Sequence, residues 1–365
     1  MIIIRVFFLV VVLFGHIAFA VQPPGVDVPR VRQLPPYPPP DPSIYKHQSV
    51  AKLNYGGTGI GSFWLFEPDD PKPEQAPLIV FIPGWTGVNP INYGAWFDHL
   101  VKQGNVVLYV PYMDATWATP FATFADNAEM GEQMAIDELL HGQRPDGSPH
   151  VRPDFSRFSI AGHSTGGIIE ANLAARAAAG NGLPVPQVVL SLTPGRMALG
   201  FNQEKNGLLT LEDLSVLPQD TLLVAVAGDR DTSVYSARSR DSVYVLASAA
   251  NLPPDQRLLY LVQSAGLPGE RATHFFVSAA DDAYDSGEVA GTAFFQRAPV
   301  LANVNDIISR VVLGQMVLNS LDYELWRLFD EARAVRFDGA PWTMPVIPFD
   351  QLNLPAGFGA NIRYP

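Results

Sequence analysis

The chain has 365 residues, is 47% apolar and 16% charged, carries a formal net charge of −12 and contains no cysteine. The apolar fraction excludes a mostly disordered protein, and the low charged fraction argues against a coiled coil. An acidic chain without a basic run makes nucleic acid a poor partner, and the missing cysteines exclude disulfides, a thiol nucleophile, a Cys-ligated zinc site and a lipobox-type lipid anchor.

The first 20 residues read as an export signal. Arg5 precedes an apolar run over 6–15, and Ala18-Phe19-Ala20 supplies a small-x-small cleavage site. The run is short for a membrane span, so cleavage and a secreted or periplasmic protein of bacterial type are expected, with an uncleaved N-terminal anchor as the alternative. Residues 22–42 then hold nine prolines in 21 positions, which predicts an extended leader over 21–42, either a spacer from the membrane or a strap on the domain.

One domain is expected over 43–337. Two antiparallel strands, near 49–54 and 61–67, flank the Gly56-Gly57-Thr58-Gly59 turn. Continuous apolar strands follow at 78–83, 106–110, 158–161, 187–192, 221–227 and 257–263. Helical patterns lie between them at 93–103, 126–140, 165–179 and 234–250, with a last helical region over 304–335. Buried strands alternating with helices predict an α/β architecture, an eight-stranded and mostly parallel sheet with helices on both faces. The stretch 338–365, rich in Pro, Gly and aromatics, shows no period and reads as a C-terminal extension.

The third buried strand ends in Gly162-His163-Ser164-Thr165-Gly166-Gly167 and runs straight into a helix. A serine on so tight a turn needs small neighbours, and the turn lifts its Oγ above the sheet beside a helix N-terminus. A nucleophilic Ser164 needs a base and an acid further along. His274 is the sole histidine downstream, about ten residues beyond the last predicted strand. A neutral imidazole there takes the serine proton and returns it to the leaving group. Two carboxylates compete as its partner in Gly228-Asp229-Arg230-Asp231. Asp231, further into the turn, is preferred; Asp229 then reads as a turn residue paired with Arg230. Oxyanion donors are expected from the backbone N–H groups of Thr165 and of Trp85, in Pro83-Gly84-Trp85 after the first central strand.

In Pro83-Gly84-Trp85, Gly162-His163-Ser164-Thr165-Gly166, Gly228-Asp229-Arg230-Asp231 and His274 the chain resembles the α/β-hydrolase superfamily. Within it, the chain is similar to the dienelactone hydrolase, chlorophyllase and polyester hydrolase (cutinase-like) group. The resemblance spans about 43–337 and implies an α/β-hydrolase fold with little or no cap domain. It also implies Ser164 as nucleophile, Asp231 as orienting acid, His274 as base, and the Trp85 and Thr165 amides as oxyanion hole. The expected activity is that of a serine carboxylesterase working through an acyl-enzyme without a cofactor. Amide, lactone or thioester cleavage by the same triad and a non-catalytic binding protein on this scaffold are the alternatives. Thr165 stands where polyester hydrolases usually carry Met, no C-terminal disulfide is possible, and 141–153 and 338–365 are extra, which favours an esterase over a polyester hydrolase.

The substrate is expected to be a small or polymeric ester. Trp85, Trp117, Phe121, Phe124, Met197 and Phe201 are candidates for lining its pocket, the alternative being that they pack under loops. The glycines over 56–61 do not form a dinucleotide fingerprint. His141, Asp146 and His150 read as a solvated loop rather than a metal site, and Asp281, Asp282 and Asp285 as solvated carboxylates at a helix start.

Overall fold

The computed structural model describes residues 37–57, 59–114, 119–195, 209–231, 240–264, 270–287 and 318–352. The export signal and most of the leader lie outside these residues. So do 304–317 of the last predicted helical region, 234–239 of the one before it, and the end of the C-terminal extension.

The described residues form an α/β fold around one mixed sheet of nine strands. These are β1 (Ser49–Tyr55), β2 (Phe63–Asp69), β3 (Gln75–Ile82), β4 (Val106–Tyr109), β5 (Arg152–His163), β6 (Val188–Leu192), β7 (Leu222–Gly228), β8 (Arg257–Val262) and β9 (Ile347–Pro348). Their spatial order is β1-β2-β4-β3-β5-β6-β7-β8-β9. The six strands from β4 to β8 in that order run parallel. The hairpin β1–β2 joins β4 antiparallel, and β9 pairs antiparallel with β8.

Alternation along each central strand sends side chains into two cores. On β3, Leu78, Val80 and Ile82 enter one, while Ile79 and Phe81 enter the other. The first core is covered by helices α2 (Phe124–His141), α3 (Gly166–Ala178) and α4 (Arg240–Ser248). The second is covered by α1 (Gly94–Lys102) and α5 (Ser320–Asp338), which deliver Trp96, Phe97, Leu325, Trp326 and Phe329. Helix α5 is delimited by its own sequence. Asn319 and Asp322 form a reciprocal capping box at its start, and Gly339 ends it in the left-handed region at φ 67°.

Sequence and structure part at the C-terminal end of the domain. An eighth strand was the last expected, but the extension adds a ninth, β9, and packs Met344, Ile347 and Leu352 into the cores. Two residues with Pro348 at a sheet edge carry no readable period, which is why 338–365 reads as separate from the sequence. At the other end Tyr37, the first described residue of the leader, lies on the domain: its hydroxyl donates to Met344 Sδ at 3.3 Å, and Arg327 lies over its ring.

The loop after α2 is not solvated in the way its composition suggests. Fully buried Glu67 on β2 accepts from Arg144 Nη2 (2.7 Å) and Nε (3.0 Å) and from the Val151 amide (2.9 Å), and bonds His150 Nδ1. His150 Nε2 reaches Glu138 at 3.2 Å. Burial pushes the Glu67 carboxyl up, but these hydrogen bonds and the Arg144 charge outweigh it and hold the group below its usual range. Burial likewise pushes the His150 imidazole down, and Glu67 and Glu138 bring it above its usual value.

Removing one member of such a cluster strands the others in the interior. Glu67→Ala is therefore expected to lower stability by about 3–5 kcal/mol in urea unfolding. Glu67's share is present above the ordinary carboxyl value of 4.5 and lost as pH falls through its lowered folded value. His150's share is present below the ordinary value of 6.5 and lost as pH rises through its raised folded value. The difference between wild type and variant should therefore be largest between pH 4.5 and 6.5.

Candidate active site

Strand β5 delivers the chain to Ser164 with φ at +56°, a left-handed conformation that a non-glycine residue adopts only when its surroundings enforce it. Three backbone bonds do so. The Ser164 amide donates to Leu192 O at 2.9 Å, and its carbonyl accepts from Gly167 N at 2.9 Å and Gly195 N at 3.0 Å. The flanking glycines leave room for the turn. A Cβ at Gly162 would stand 2.1 Å from Gly166 O, and one at Gly166 would stand 2.2 Å from Ile82 O. No side chain fits at either place. Helix α3 starts immediately afterwards with Thr165 as its N-cap residue, so the Thr165 amide lies at the positive end of the helix.

The Ser164 hydroxyl meets His274 Nε2 at 2.7 Å, and His274 Nδ1–H donates to Asp231 Oδ2 at 2.9 Å. A carboxylate that only accepts fixes the proton on Nδ1, which makes Nε2 the acceptor facing the serine hydroxyl. Ser164 and His274 are partly exposed, whereas Asp231 is buried. Strand β7 places Asp231, and it comes close to the His274 loop because Gly228 has no side chain: a Cβ there would be 2.2 Å from Ala272 O. The Arg230 amide then donates to that same carbonyl at 3.0 Å. Asp229 faces elsewhere. It accepts from the Ser264 hydroxyl (2.6 Å) and amide (3.1 Å), so its partner is Ser264 rather than the expected Arg230.

The loop after β3 packs against this turn. A Cβ at Gly84 would stand 3.4 Å from Ser164 Cβ, and Gly87 N closes a tight turn onto Gly84 O at 2.9 Å. Trp85 is partly buried and meets Phe121 edge-on at 6.2 Å. Phe121 is itself buried, and Phe124 is fully buried at the start of α2 against Tyr112, so these two side chains belong to the core beneath Trp85. Trp117, Met197 and Phe201 lie outside the described residues.

Two buried ionisable residues at the turn were not singled out from sequence. His163 sits between Tyr93 and the His274 backbone, and burial together with the neighbouring His274 pushes its imidazole down to about 3, so it stays neutral. Glu170, on the first turns of α3, reaches Ser191 Oγ, which also contacts Gly167 O at 2.9 Å. Ser191 has one proton and a carbonyl has none to give, so the proton shared with Glu170 comes from the acid. Burial raises the Glu170 carboxyl well above its usual range, in keeping with a neutral group. A lone His or Glu in an apolar stretch gives no sequence signal for such a role.

Among the described residues, no group of three His, Asp or Glu is placed to hold a metal ion, and no helix is long and apolar enough to cross a membrane. His141 pairs with Asp137 on the surface of α2, far in character from buried His150, and Asp146 accepts from the Ser148 amide. Asp281 caps a short turn, and Asp285 accepts from Asn89 Nδ2 at 2.7 Å. No protein-family model matches the chain, and no curated protein matches it.

A neutral acid in the folded state that ionises when unfolded makes stability fall as pH rises above the ordinary carboxyl value of 4.5. Glu170→Gln keeps a donor for Ser191 and removes that ionisation. Its stability relative to wild type should improve by about 1.4 kcal/mol per pH unit from that value up to the raised folded one, where the gain levels off, measured by urea unfolding at several pH values.

Proposed function

We propose that the chain is an exported serine hydrolase of the α/β-hydrolase fold that cleaves carboxylic esters through an acyl-enzyme. The observation that carries this reading is the unbroken bond series from Ser164 Oγ through His274 to buried Asp231, with Ser164 held on a left-handed turn at the head of a helix. Its support in the fold is the parallel core of the sheet, whose strands β5, β7 and β8 end on the side where the three residues meet. Export rests on the features of residues 1–20.

Ser164 Oγ attacks the ester carbonyl carbon as its proton moves to His274 Nε2. The carbonyl oxygen becomes an oxyanion held by the Trp85 and Thr165 amides, and Asp231 stabilises the imidazolium that has formed. The imidazolium gives its proton to the departing alkoxide, leaving an acyl group on Ser164. Water, deprotonated by His274, then attacks the acyl carbon, and the carboxylic acid leaves as the serine recovers its proton. Trp85 forms an apolar wall beside the reacting carbon, suited to an acyl or aromatic group.

Ser164→Ala is expected to lower kcat on p-nitrophenyl esters by about 10⁶-fold. Asp231→Asn, which presents the wrong proton to His274, should lower it by about 10⁴-fold, while Asp229→Asn should leave it near wild type. Activity should fall on the acid side with the slope of one proton, about tenfold per pH unit, because an imidazolium cannot take the serine proton and buried His163 stays neutral down to about 3. A scan of acyl chains from two to twelve carbons, beside matched amides, lactones and thioesters, measures preference. Binding without turnover on all of them would overturn the catalytic reading.

A further inference from the structure

The hydrogen bonds around His163 have a single possible direction. Its Nε2 lies 2.9 Å from the His274 carbonyl oxygen, which can only accept, so Nε2 carries the proton. In a neutral ring Nδ1 is then an acceptor, and the Tyr93 hydroxyl, 2.8 Å away, must donate to it. The Tyr93 oxygen in turn accepts the Gly84 amide at 3.1 Å. One continuous series thus runs from Gly84 N–H through Tyr93 and His163 to the backbone of His274.

We propose that Tyr93 and His163 are positioning residues that lock the Gly84–Trp85 loop and the His274 loop into register across Ser164. The proposal rests on the hydrolytic reading above and assigns two residues it leaves without a role. Gly84 is one residue before the Trp85 amide, and His274 carries the base, so the two ends of the series are the two loops that must meet the reacting carbonyl together. The series is rigid. Tyr93 is buried and packed on Phe81 at 4.6 Å and Phe97 at 6.0 Å, and His163 is buried with its ring 5.0 Å from that of His274. Among the described residues the charged and titratable neighbours of His163 are Tyr93, His274 and Asp231, and burial keeps both the Tyr93 phenol and the His163 imidazole uncharged. An imidazole suits the task because it puts an acceptor and a donor on opposite sides of one flat ring. Reaction rates are sensitive to displacements of about 1 Å between catalytic groups, which change them by about 10²-fold.

The test compares Tyr93→Phe, His163→Phe, His163→Gln and the Tyr93→Phe/His163→Phe double variant with wild type. Each preparation is titrated with a fluorophosphonate that labels Ser164, so that kcat is expressed per folded, reactive site. Tyr93→Phe keeps the packed ring and is expected to lower kcat about 10–100-fold with KM within about threefold, and to slow Ser164 labelling in step. The double variant should be no slower than the slower single variant, because the two residues act as one unit. His163→Gln, whose amide still donates to the His274 carbonyl, should recover part of the loss. Unchanged kcat per titrated site in Tyr93→Phe, losses that multiply in the double variant, or losses confined to the number of folded sites would each overturn the relay. Wild-type protein that neither turns over esters nor labels at Ser164 would overturn the hydrolytic reading itself, and the relay with it.

Discussion

The left-handed turn at Ser164 is the constraint on which the rest of the site depends. A serine at φ +56° persists because its amide and carbonyl are taken up by Leu192, Gly167 and Gly195, and because Gly162 and Gly166 yield space that any Cβ would fill. The demand is steric before it is chemical. Atoms that would be 2.1–2.2 Å from a Cβ are backbone atoms of the turn and of β3, so neither can move aside. The same close approach brings β3, β5 and the start of α3 together at one point, which is where the Gly84 loop packs on Ser164.

The other two residues reach that point through a second glycine. Gly228 ends β7 against Ala272, and this contact sets the distance between the turn bearing Asp231 and the loop bearing His274. It also separates the two aspartates of the turn. Asp229, adjacent to the strand end, faces the Ser264 loop beyond β8, while Asp231 closes back onto Gly228 O at 3.2 Å and faces His274. Parallel neighbours β7 and β8 end at the same level, so two loops from adjacent strands suffice to bring Asp231 and His274 together above the sheet.

Much of this was legible in the sequence because it is encoded locally. Apolar runs marked every central strand but β5 to within a few residues, and the spacing of Gly162, Ser164 and Gly166 marked the turn. Strand β5 proved longer than its apolar part because its first half, from Arg152, pairs with the start of β3 through the backbone, which needs no apolar side chain. What was not legible depends on partners far along the chain. His150 looks solvated beside Gly and Pro until Glu67 is placed 83 residues away. His163 is one letter of a serine motif until Tyr93, 70 residues earlier, shows which way its ring faces. Asp229 and Asp231 are equivalent in composition, and only the direction of a turn tells them apart.

The ionisable groups at the site divide by charge as well as by position. His163 and Glu170 flank the serine turn from opposite sides of the sheet's end, one below the base loop and one beneath the first turn of α3, and burial keeps both neutral. A charged imidazolium at 163 would repel a protonated His274 across a ring separation of 5.0 Å. A charged carboxylate at 170 would oppose negative charge developing at the start of α3. Under the proposed hydrolytic mechanism each would subtract from what the transition state strengthens, the imidazolium with its aspartate and the oxyanion with the helix amides. Two groups that can ionise in water are therefore used here as plain hydrogen-bonding parts, and the desolvation that keeps them neutral leaves the electrostatics of the turn to Asp231 and the backbone.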